Sequence, residues 1–222
     1  MSSSVELESF GNWRGVSLEV APWDTGHAQV DLSAACMFTH ELDSTGIKGG
    51  LLHLDQALGG RLTALRRSGS FKAKFMETLL VSTPPTGVQA KSLLIVGLGT
   101  PSAWTADITA HAVSVAVRTA VQRGDRSMAF APSLLDSGLN PERTVDITRG
   151  MVKAVIDTIE AQLRIAECGL ANAPVLCRVV FDVGASRIDM TRESFRDSFQ
   201  IVAAYVPATG ENEPPSDKRE EQ

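Results

Sequence analysis

The chain has 222 residues, of which 43% are apolar and 21% are charged. These values are ordinary for a soluble globular protein, and the length suffices for one α/β domain with a substantial core. The formal net charge is −5, which argues against nucleic acid as the main partner because non-specific polyanion binders are normally basic.

The amino-terminal part of the chain predicts a flexible start, a strand and a second apolar segment. Residues 1–13 open with a polar run and are predicted to be flexible. Val16–Val20 alternates apolar and polar side chains with a period of two, which indicates a strand. A second short apolar segment, Ala34–Phe38, follows a polar loop.

A single long helix is predicted over residues 51–67. Leucines recur there every three or four residues and form one apolar stripe. Gly59 and Gly60 in the middle weaken a helix by about 1 kcal/mol each. We therefore expect a compensating close approach of the helix backbone to the sheet, and Gly69 ends the helix.

Strands and helices alternate from residue 78 onward. Thr78–Val81 is a predicted strand that two prolines close. Leu93–Val96 is uninterruptedly apolar, as expected for a central strand buried on both faces. Thr105 is the predicted N-cap of a helix that reaches Gln122.

The carboxyl-terminal half continues the alternation. Met128–Ala131 is a short predicted strand, and Asn140–Pro141 predicts the start of a long helix that reaches about Cys168. Val175–Val183 is the last strong strand, and Thr191 opens a final helix.

This order of elements predicts one domain over residues 14–206. Strands that alternate with helices favour a three-layer α/β/α sandwich around a largely parallel sheet. The charged tail, residues 207–222, contains prolines and lacks apolar anchors, so it is predicted to be disordered.

The compartment indicated by the sequence is the cytoplasm of a bacterial-type cell. The three cysteines, Cys36, Cys168 and Cys177, are widely spaced, which argues against a disulfide framework and a zinc knuckle. The start of the chain lacks the basic and apolar regions of a secretory signal. No apolar run approaches the roughly 20 residues that span a bilayer, so no membrane contact is expected.

Four segments carry a resemblance to a known family. They read Leu-Asp-Gln-Ala-Leu-Gly-Gly over 54–60, Gly-Ser-Phe-Lys-Ala-Lys over 69–74, Glu-Thr-Leu-Leu over 77–80 and Leu-Leu-Ile-Val-Gly-Leu-Gly over 93–99. In order and spacing they resemble the N-terminal domain of leucyl aminopeptidases, also called cytosol aminopeptidases. The resemblance covers roughly residues 14–206 and implies a macro-domain-like fold with a mixed sheet.

The resemblance also implies that the family's chemistry lies in another domain, which holds two metals through carboxylates and a lysine. Its signatures, Asn-Thr-Asp-Ala-Glu-Gly-Arg-Leu and Asp-Ser-Gly-Gly, do not occur in this sequence. Asp189, Glu193 and Asp197 have helical spacing, but the dipole at a helix start and the neighbouring arginines explain these acids without a metal. We therefore expect no metal, no cofactor and no peptidase activity from this chain alone.

Two glycine-containing segments are candidate ligand sites. Gly46, Lys48, Gly49 and Gly50 form a loop that resembles the macro-domain loop Gly-Val-Asp-Gly-Ala-Ile-His, which cradles a diphosphate, although Lys48 stands where that loop has an acid. Gly97-Leu-Gly99 follows a buried strand, where ligand sites of α/β proteins tend to lie. The alternative for both is a turn whose glycines serve backbone geometry.

A basic cluster is the third candidate surface. Its members are Arg61, Arg66, Arg67, Lys72 and Lys74, with no acid between them. The cluster is a candidate anion or nucleic-acid patch, and the alternative is a solvated helix end and loop.

The function predicted first is a non-catalytic binding, interaction or regulatory module related to the leucyl aminopeptidase N-terminal domain. It would assemble with itself or with a separately encoded catalytic subunit. One alternative is the accessory subunit of a split metallo-aminopeptidase, and another is a binder of nucleotides or ADP-ribose-type ligands.

Overall fold

The computed structural model describes residues 8–23, 26–42, 46–132, 147–184 and 188–205. Strands and helices alternate along most of the described chain. The strands are β1 (Glu8–Trp13), β2 (Val16–Ala21), β3 (Leu32–Phe38), β4 (Thr78–Val81), β5 (Ser92–Gly99), β6 (Ser127–Ala131) and β7 (Arg178–Asp182). The helices are α1 (Gly49–Ala57), α2 (Arg61–Arg67), α3 (Ala106–Arg123), α4 (Ile147–Glu167) and α5 (Ile188–Tyr205).

The seven described strands form one mixed sheet in the order β1-β2-β7-β6-β3-β5-β4. The five inner strands, from β2 to β5 in that order, are parallel to one another. The two edge strands, β1 and β4, each pair antiparallel with their neighbour. The prediction of a largely parallel, mixed sheet is confirmed.

Helices cover both faces of this sheet. Helices α3, α4 and α5 pack on one face, in a core that includes Val113, Val155 and Phe195. Helices α1 and α2 pack on the other face, in a second core that includes Leu54 and Leu62. All seven residues of β3 are buried because both cores meet at this central strand. The three-layer α/β/α prediction is therefore confirmed.

The predicted flexible start over residues 1–13 is wrong for residues 8–13, which form β1. Phe10 is buried, and its ring centroid lies 5.1 Å from that of Phe195. The Trp13 indole donates a hydrogen bond of 2.9 Å to Glu160 on α4. A register shift between Ser9 and Gly11 interrupts the period-two pattern, which explains why alternation does not reveal this strand.

The predicted single helix over residues 51–67 is two helices, α1 and α2. Gly59 and Gly60 have φ angles of 66° and 75°, which break the helix in the left-handed region that favours glycine. A Cβ on Gly60 would meet nothing within 4 Å, so the expected close approach to the sheet is also wrong. Buried Asp55 completes the break by accepting hydrogen bonds from the Thr63 backbone N–H (3.1 Å) and hydroxyl (2.5 Å) in the first turn of α2.

Two predictions fall outside the described residues. These are the helix start at Asn140–Pro141 and the tail over residues 207–222. Among the helices of the described residues, none combines the length and the apolar character needed to cross a bilayer.

Candidate functional site

The loop from Gly46 to Gly50 leads from the region after β3 into α1. Lys48 is the exposed N-cap residue, its side chain forms no capping hydrogen bond, and the first turn contains no acid. The amino terminus of α1 therefore keeps its partial positive charge, to which Lys48 adds. Gly46 has a packing reason to be glycine, because a Cβ there would lie 3.0 Å from the His40 carbonyl oxygen.

Gly97 and Gly99 lie under the turn that leads into β4. A Cβ on Gly97 would lie 2.1 Å from the carbonyl oxygen of Lys74, so only glycine fits there. The Gly97 N–H donates to the Glu77 carbonyl (2.8 Å), and the Gly99 N–H donates to the Ala73 carbonyl (3.1 Å). Both N–H groups of the candidate phosphate loop are thus paired within the chain, and an anion here would need other donors.

The carboxylate of Glu77 organises this turn. It accepts hydrogen bonds of 3.0 Å from the backbone N–H groups of both Lys72 and Lys74. Ala73 between them has a φ of 54°, which the closed turn enforces. The side chain of Phe75 is 58% exposed, and Lys72 and Lys74 are exposed as well. The turn therefore presents two cations and an aromatic ring to solvent.

Arg66 is a correction to the basic cluster, because it is only 4% exposed. Its guanidinium donates to three backbone carbonyls, those of Glu41 (3.1 Å), Phe71 (3.0 Å) and Thr39 (2.8 Å). Burial lowers the pKa of Arg66 from its ordinary value, while the charges of Glu77 and Glu41 act in the opposite direction. Arg66 is therefore a structural residue, and the exposed cations of the cluster are Arg61, Arg67, Lys72 and Lys74.

Arg66 joins two loops that follow different parts of the sequence. Thr39 and Glu41 belong to the loop after β3, whereas Phe71 belongs to the turn before β4. The buried Glu41 carboxylate accepts a hydrogen bond of 2.6 Å from the Phe38 N–H. Burial, together with the Glu41 charge, raises the pKa of the Cys36 thiol, so this thiol stays protonated. The sequence does not reveal this centre, since Arg66 and Glu41 are 25 positions apart.

A surface feature that the sequence does not reveal is an apolar groove between α2 and β4, with a volume of about 420 Å³. It lies at the edge of the sheet that β4 forms. Its lining includes the side chains of Leu58, Arg61, Leu62, Leu65, Leu79 and Val81. The only sequence signal for it is the short strand over residues 78–81, which the prolines close and which therefore suits an edge position.

The family relationship rests on residues 42–154, which match the model of the cytosol aminopeptidase family, N-terminal domain. This is just over half of the chain. The chain belongs to this family. The matched segment includes the double glycine, the turn over residues 69–77 and β5, so the resemblance seen in the sequence is confirmed.

One curated relative and two solved structures show how far the similarity extends. A probable cytosol aminopeptidase from Acidobacterium capsulatum is 37% identical over 81 residues, which are 36% of this chain and 16% of that protein. A mutant of tomato leucine aminopeptidase has a TM-score of 0.63 at 18% identity, covering 85% of this chain and 36% of that one. A Trypanosoma brucei macrodomain in complex with ADP-ribose has a TM-score of 0.55 at 17% identity, covering 89% and 74%.

These similarities establish a macro-domain-like fold. This chain corresponds to about a third of the length of the tomato enzyme, so the activity of the whole enzyme does not follow for it. Within the described ranges, no group of three or more His, Cys, Asp or Glu side chains could hold a metal ion. The described residues therefore do not fit a two-metal peptidase centre.

Proposed function

We propose that this domain is a non-catalytic interaction module of the cytosol aminopeptidase family. The observation that carries the proposal is the position of β4 at the edge of the sheet formed by the described strands, beside the apolar groove against α2. An unpaired strand edge and an exposed apolar groove are surfaces that proteins use to bind other chains. Leu80 on β4 is 43% exposed, which extends the apolar surface to the other face of the strand.

Binding of a small anion has less support, because several of the candidate donor groups are already paired within the chain. The N–H groups of Gly97 and Gly99 are paired with the chain itself, and Arg66 is buried among backbone carbonyls. The groove, by contrast, keeps apolar side chains at the surface. A protein partner, whether a separately encoded catalytic subunit or a second copy, fits this surface better than a small anion does.

The test is purification of the tagged full chain from its native host. We expect a protein partner at stoichiometric ratio, and we expect Leu65→Lys in the groove to abolish its recovery. Leu170→Lys, at a residue that is 80% exposed beyond α4, is the matched control and should leave recovery unchanged. A partner with metallopeptidase activity would favour the accessory-subunit alternative. Recovery of the same partner with Leu65→Lys would contradict the proposal.

The non-catalytic part of the proposal has its own test. The purified chain, supplied with Mn²⁺ or Zn²⁺, should not hydrolyse leucine p-nitroanilide, because the described residues offer no group of ligands for two metals. Turnover that stays with the protein through successive purification steps would refute it.

Binding of a nucleotide or ADP-ribose-type ligand is the second candidate function. It is favoured by the uncapped start of α1 beside Lys48 and by the shared fold with a macrodomain solved in complex with ADP-ribose. ADP-ribose should then raise the melting temperature in a concentration-dependent way, and Lys48→Glu should reduce the rise. A flat response would remove this candidate.

We further propose that the protein works in the cytoplasm of a bacterial cell. The relationship to a probable cytosol aminopeptidase from a bacterium supports this location. So do the free thiols of Cys168 and Cys177, which are exposed and suit a reducing compartment.

A further inference from the structure

We propose that β4 binds an acidic, extended segment of a partner protein as an eighth strand, with alternate apolar side chains in the groove beside α2. This inference rests on the proposed interaction function and names the chemistry of the occupant. Three features of the surface carry it: the direction of the free backbone groups, the shape of the groove and the local charge.

Among the described strands, none pairs with the outer side of the β4 backbone. In an antiparallel ladder, residues alternate between those bonded to the neighbouring strand and those directed away from it. The hydrogen bond from the Gly97 N–H to the Glu77 carbonyl sets this alternation. In the register Leu79↔Ile95 and Val81↔Leu93, the backbone N–H and C=O groups of Leu79 and Val81 point toward β5. The N–H and C=O groups of Thr78 and Leu80 therefore point outward, where an added strand can pair with them.

The groove lies beside this edge on the face that α2 covers. Leu79 and Val81 direct their side chains to that face, opposite Leu62 and Leu65 of α2. Every second side chain of an added strand would enter the same space, because side chains alternate between the faces of a sheet. The other side chains would lie next to exposed Leu80. A segment with apolar residues at alternate positions fits both requirements.

The charge around the groove selects an acidic segment. Between Leu58 and Lys91 the chain has only one acid, Glu77. Arg66 in this segment is buried and Lys91 is paired with Asp31, which leaves the four exposed cations Arg61, Arg67, Lys72 and Lys74, although the whole chain has a net charge of −5. Glu77 is engaged by the N–H groups of its own turn. Arg61 lines the groove, and Lys72 and Lys74 are exposed just before β4. Acidic residues flanking the bound strand would be attracted by these cations.

The same charge argues against a second copy of this chain as the occupant. Pairing two β4 strands would bring two positively charged surfaces together, with no free acid in the segment between Leu58 and Lys91 to separate them. A nucleic acid would use Lys72 and Lys74, but it has no use for the apolar groove or for the outward groups of Thr78 and Leu80. An acidic peptide strand uses all of these features.

The test measures fluorescence anisotropy with the full chain and a labelled peptide, Asp-Glu-Thr-Val-Thr-Leu-Thr-Val-Glu-Asp. We expect binding that weakens with added salt. A peptide with the same core and lysine flanks should bind at least about tenfold more weakly, and so should the acidic peptide with N-methyl groups on its central residues, which cannot form the ladder.

Two variants of the protein locate the site. Leu80→Pro removes an outward N–H without removing a hydrogen bond to β5, and Lys72→Glu with Lys74→Glu reverses the local charge. Each should weaken binding by about tenfold or more. The control, Arg118→Glu with Arg164→Glu, changes the net charge equally at exposed positions on α3 and α4 and should stay within about twofold. If Leu80→Pro does not fold, the N-methylated peptide tests the ladder on the unaltered protein.

Several results would overturn the inference. These are equal binding of the acidic and lysine-flanked peptides, tight binding of the N-methylated peptide, and a single-stranded oligonucleotide that binds more tightly than the peptide. Suppose that the native partner co-purifies with the natural chain and is lost with Leu65→Lys, but the acidic peptide does not bind. The interaction function then stands, and the acidic strand is the wrong occupant. If neither binds, both proposals fail.

Discussion

The buried guanidinium of Arg66 is the residue on which the loops around the candidate site depend most. It supplies donors to three carbonyls in two loops that lie far apart along the chain. An interior arginine of this kind stabilises only as long as all of its partners remain in place, because each buried polar group left unpaired costs free energy.

Replacing Arg66 by Met should therefore lower the free energy of unfolding by about 2–4 kcal/mol, since three carbonyls lose their donors. Arg67→Met is the matched control, because Arg67 is the next residue of α2 and is exposed, and it should change stability by less than about 0.5 kcal/mol. Urea denaturation of both variants measures the difference. Equal effects would show that the hydrogen bonds of buried Arg66 do not stabilise the two loops.

Gly97 illustrates a second residue-level constraint, the close approach of two backbone segments. Gly97→Ala should lower the free energy of unfolding by about 2–4 kcal/mol, because the new Cβ would overlap the Lys74 carbonyl and displace the turn. Gly50→Ala, in the first turn of α1 with nothing within 4 Å, should leave stability unchanged or raise it by up to about 1 kcal/mol. Thermal unfolding compares the two, and a neutral Gly97→Ala would contradict the close approach.

At the scale of elements, the break between α1 and α2 is the feature that shapes the groove. The reversal at Gly59 and Gly60 separates the two helices, and α2 contributes one wall of the groove opposite β4. Asp55 then compensates for the absence of a capping side chain at Gly60, the N-cap of α2. A continuous helix over residues 51–67 would not place Leu62 and Leu65 in this position.

The break predicts a graded response to substitution at Gly60. Gly60→Ala should cost about 1–2 kcal/mol because a β-carbon disfavours the left-handed conformation, whereas Gly60→Asn should cost less because Asn enters that region more readily. The free energy of unfolding of the two variants should therefore rank Asn above Ala. Higher stability with Ala than with Gly would indicate that the helix prefers to continue through this position.

At the scale of the whole molecule, Asp31 ties together the amino ends of the inner strands. Its carboxylate accepts hydrogen bonds from the backbone N–H groups of Arg126 (2.8 Å) and Ser127 (3.0 Å), and it lies 2.6 Å from the Lys91 ammonium. Partial burial raises the pKa of Asp31, but these hydrogen bonds and the Lys91 charge outweigh it and hold the pKa below its usual range. The ionised carboxylate therefore stabilises the fold above the pKa of the unfolded chain.

Asp31→Asn should consequently lower the free energy of unfolding by about 1–3 kcal/mol at pH 7. The difference from the natural chain should stay constant down to about pH 5 and shrink as the pH falls through the lowered pKa of the folded state. Asp157→Asn is the control, because Asp157 forms an exposed ion pair with Lys153 on α4 and should cost less than about 0.5 kcal/mol. Urea denaturation from pH 7 to pH 3 tests this, and a difference that grows on acidification would contradict it.

Local signals predict the inner part of this fold well. Leu93–Val96 reveals a central strand because every residue of it is apolar, and the structure confirms it within β5. The helix from Thr105 is confirmed within one residue at its carboxyl end, since its apolar residues recur at helical spacing. The edge strand β1 is missed because a bulge interrupts the alternation, and because Phe10 and Trp13 reach their partners on α5 and α4 far along the chain.

The candidate site is predictable only in part for the same reason. The glycines at 97 and 99 stand out in the sequence as a turn, but their pairing with residues 73 and 77 depends on which segment crosses β5. Arg66 and Arg67 are neighbours of the same type, and nothing local shows that the first is buried and the second exposed. The groove forms only because α2 and β4, which are separate in the sequence, lie next to each other in the folded chain.

The sequence by itself determined the α/β class, the inner strands and the resemblance to the aminopeptidase N-terminal domain, because periodicity, turn residues and motif order are properties of neighbouring positions. Only the tertiary structure decided that Arg66 is interior, that Gly97 serves backbone packing and that β4 forms a basic edge of the sheet among the described strands. These outcomes depend on contacts between residues that are distant along the chain. Only such contacts bury the Arg66 guanidinium and pair the Gly97 N–H, so that neither group can bind a ligand.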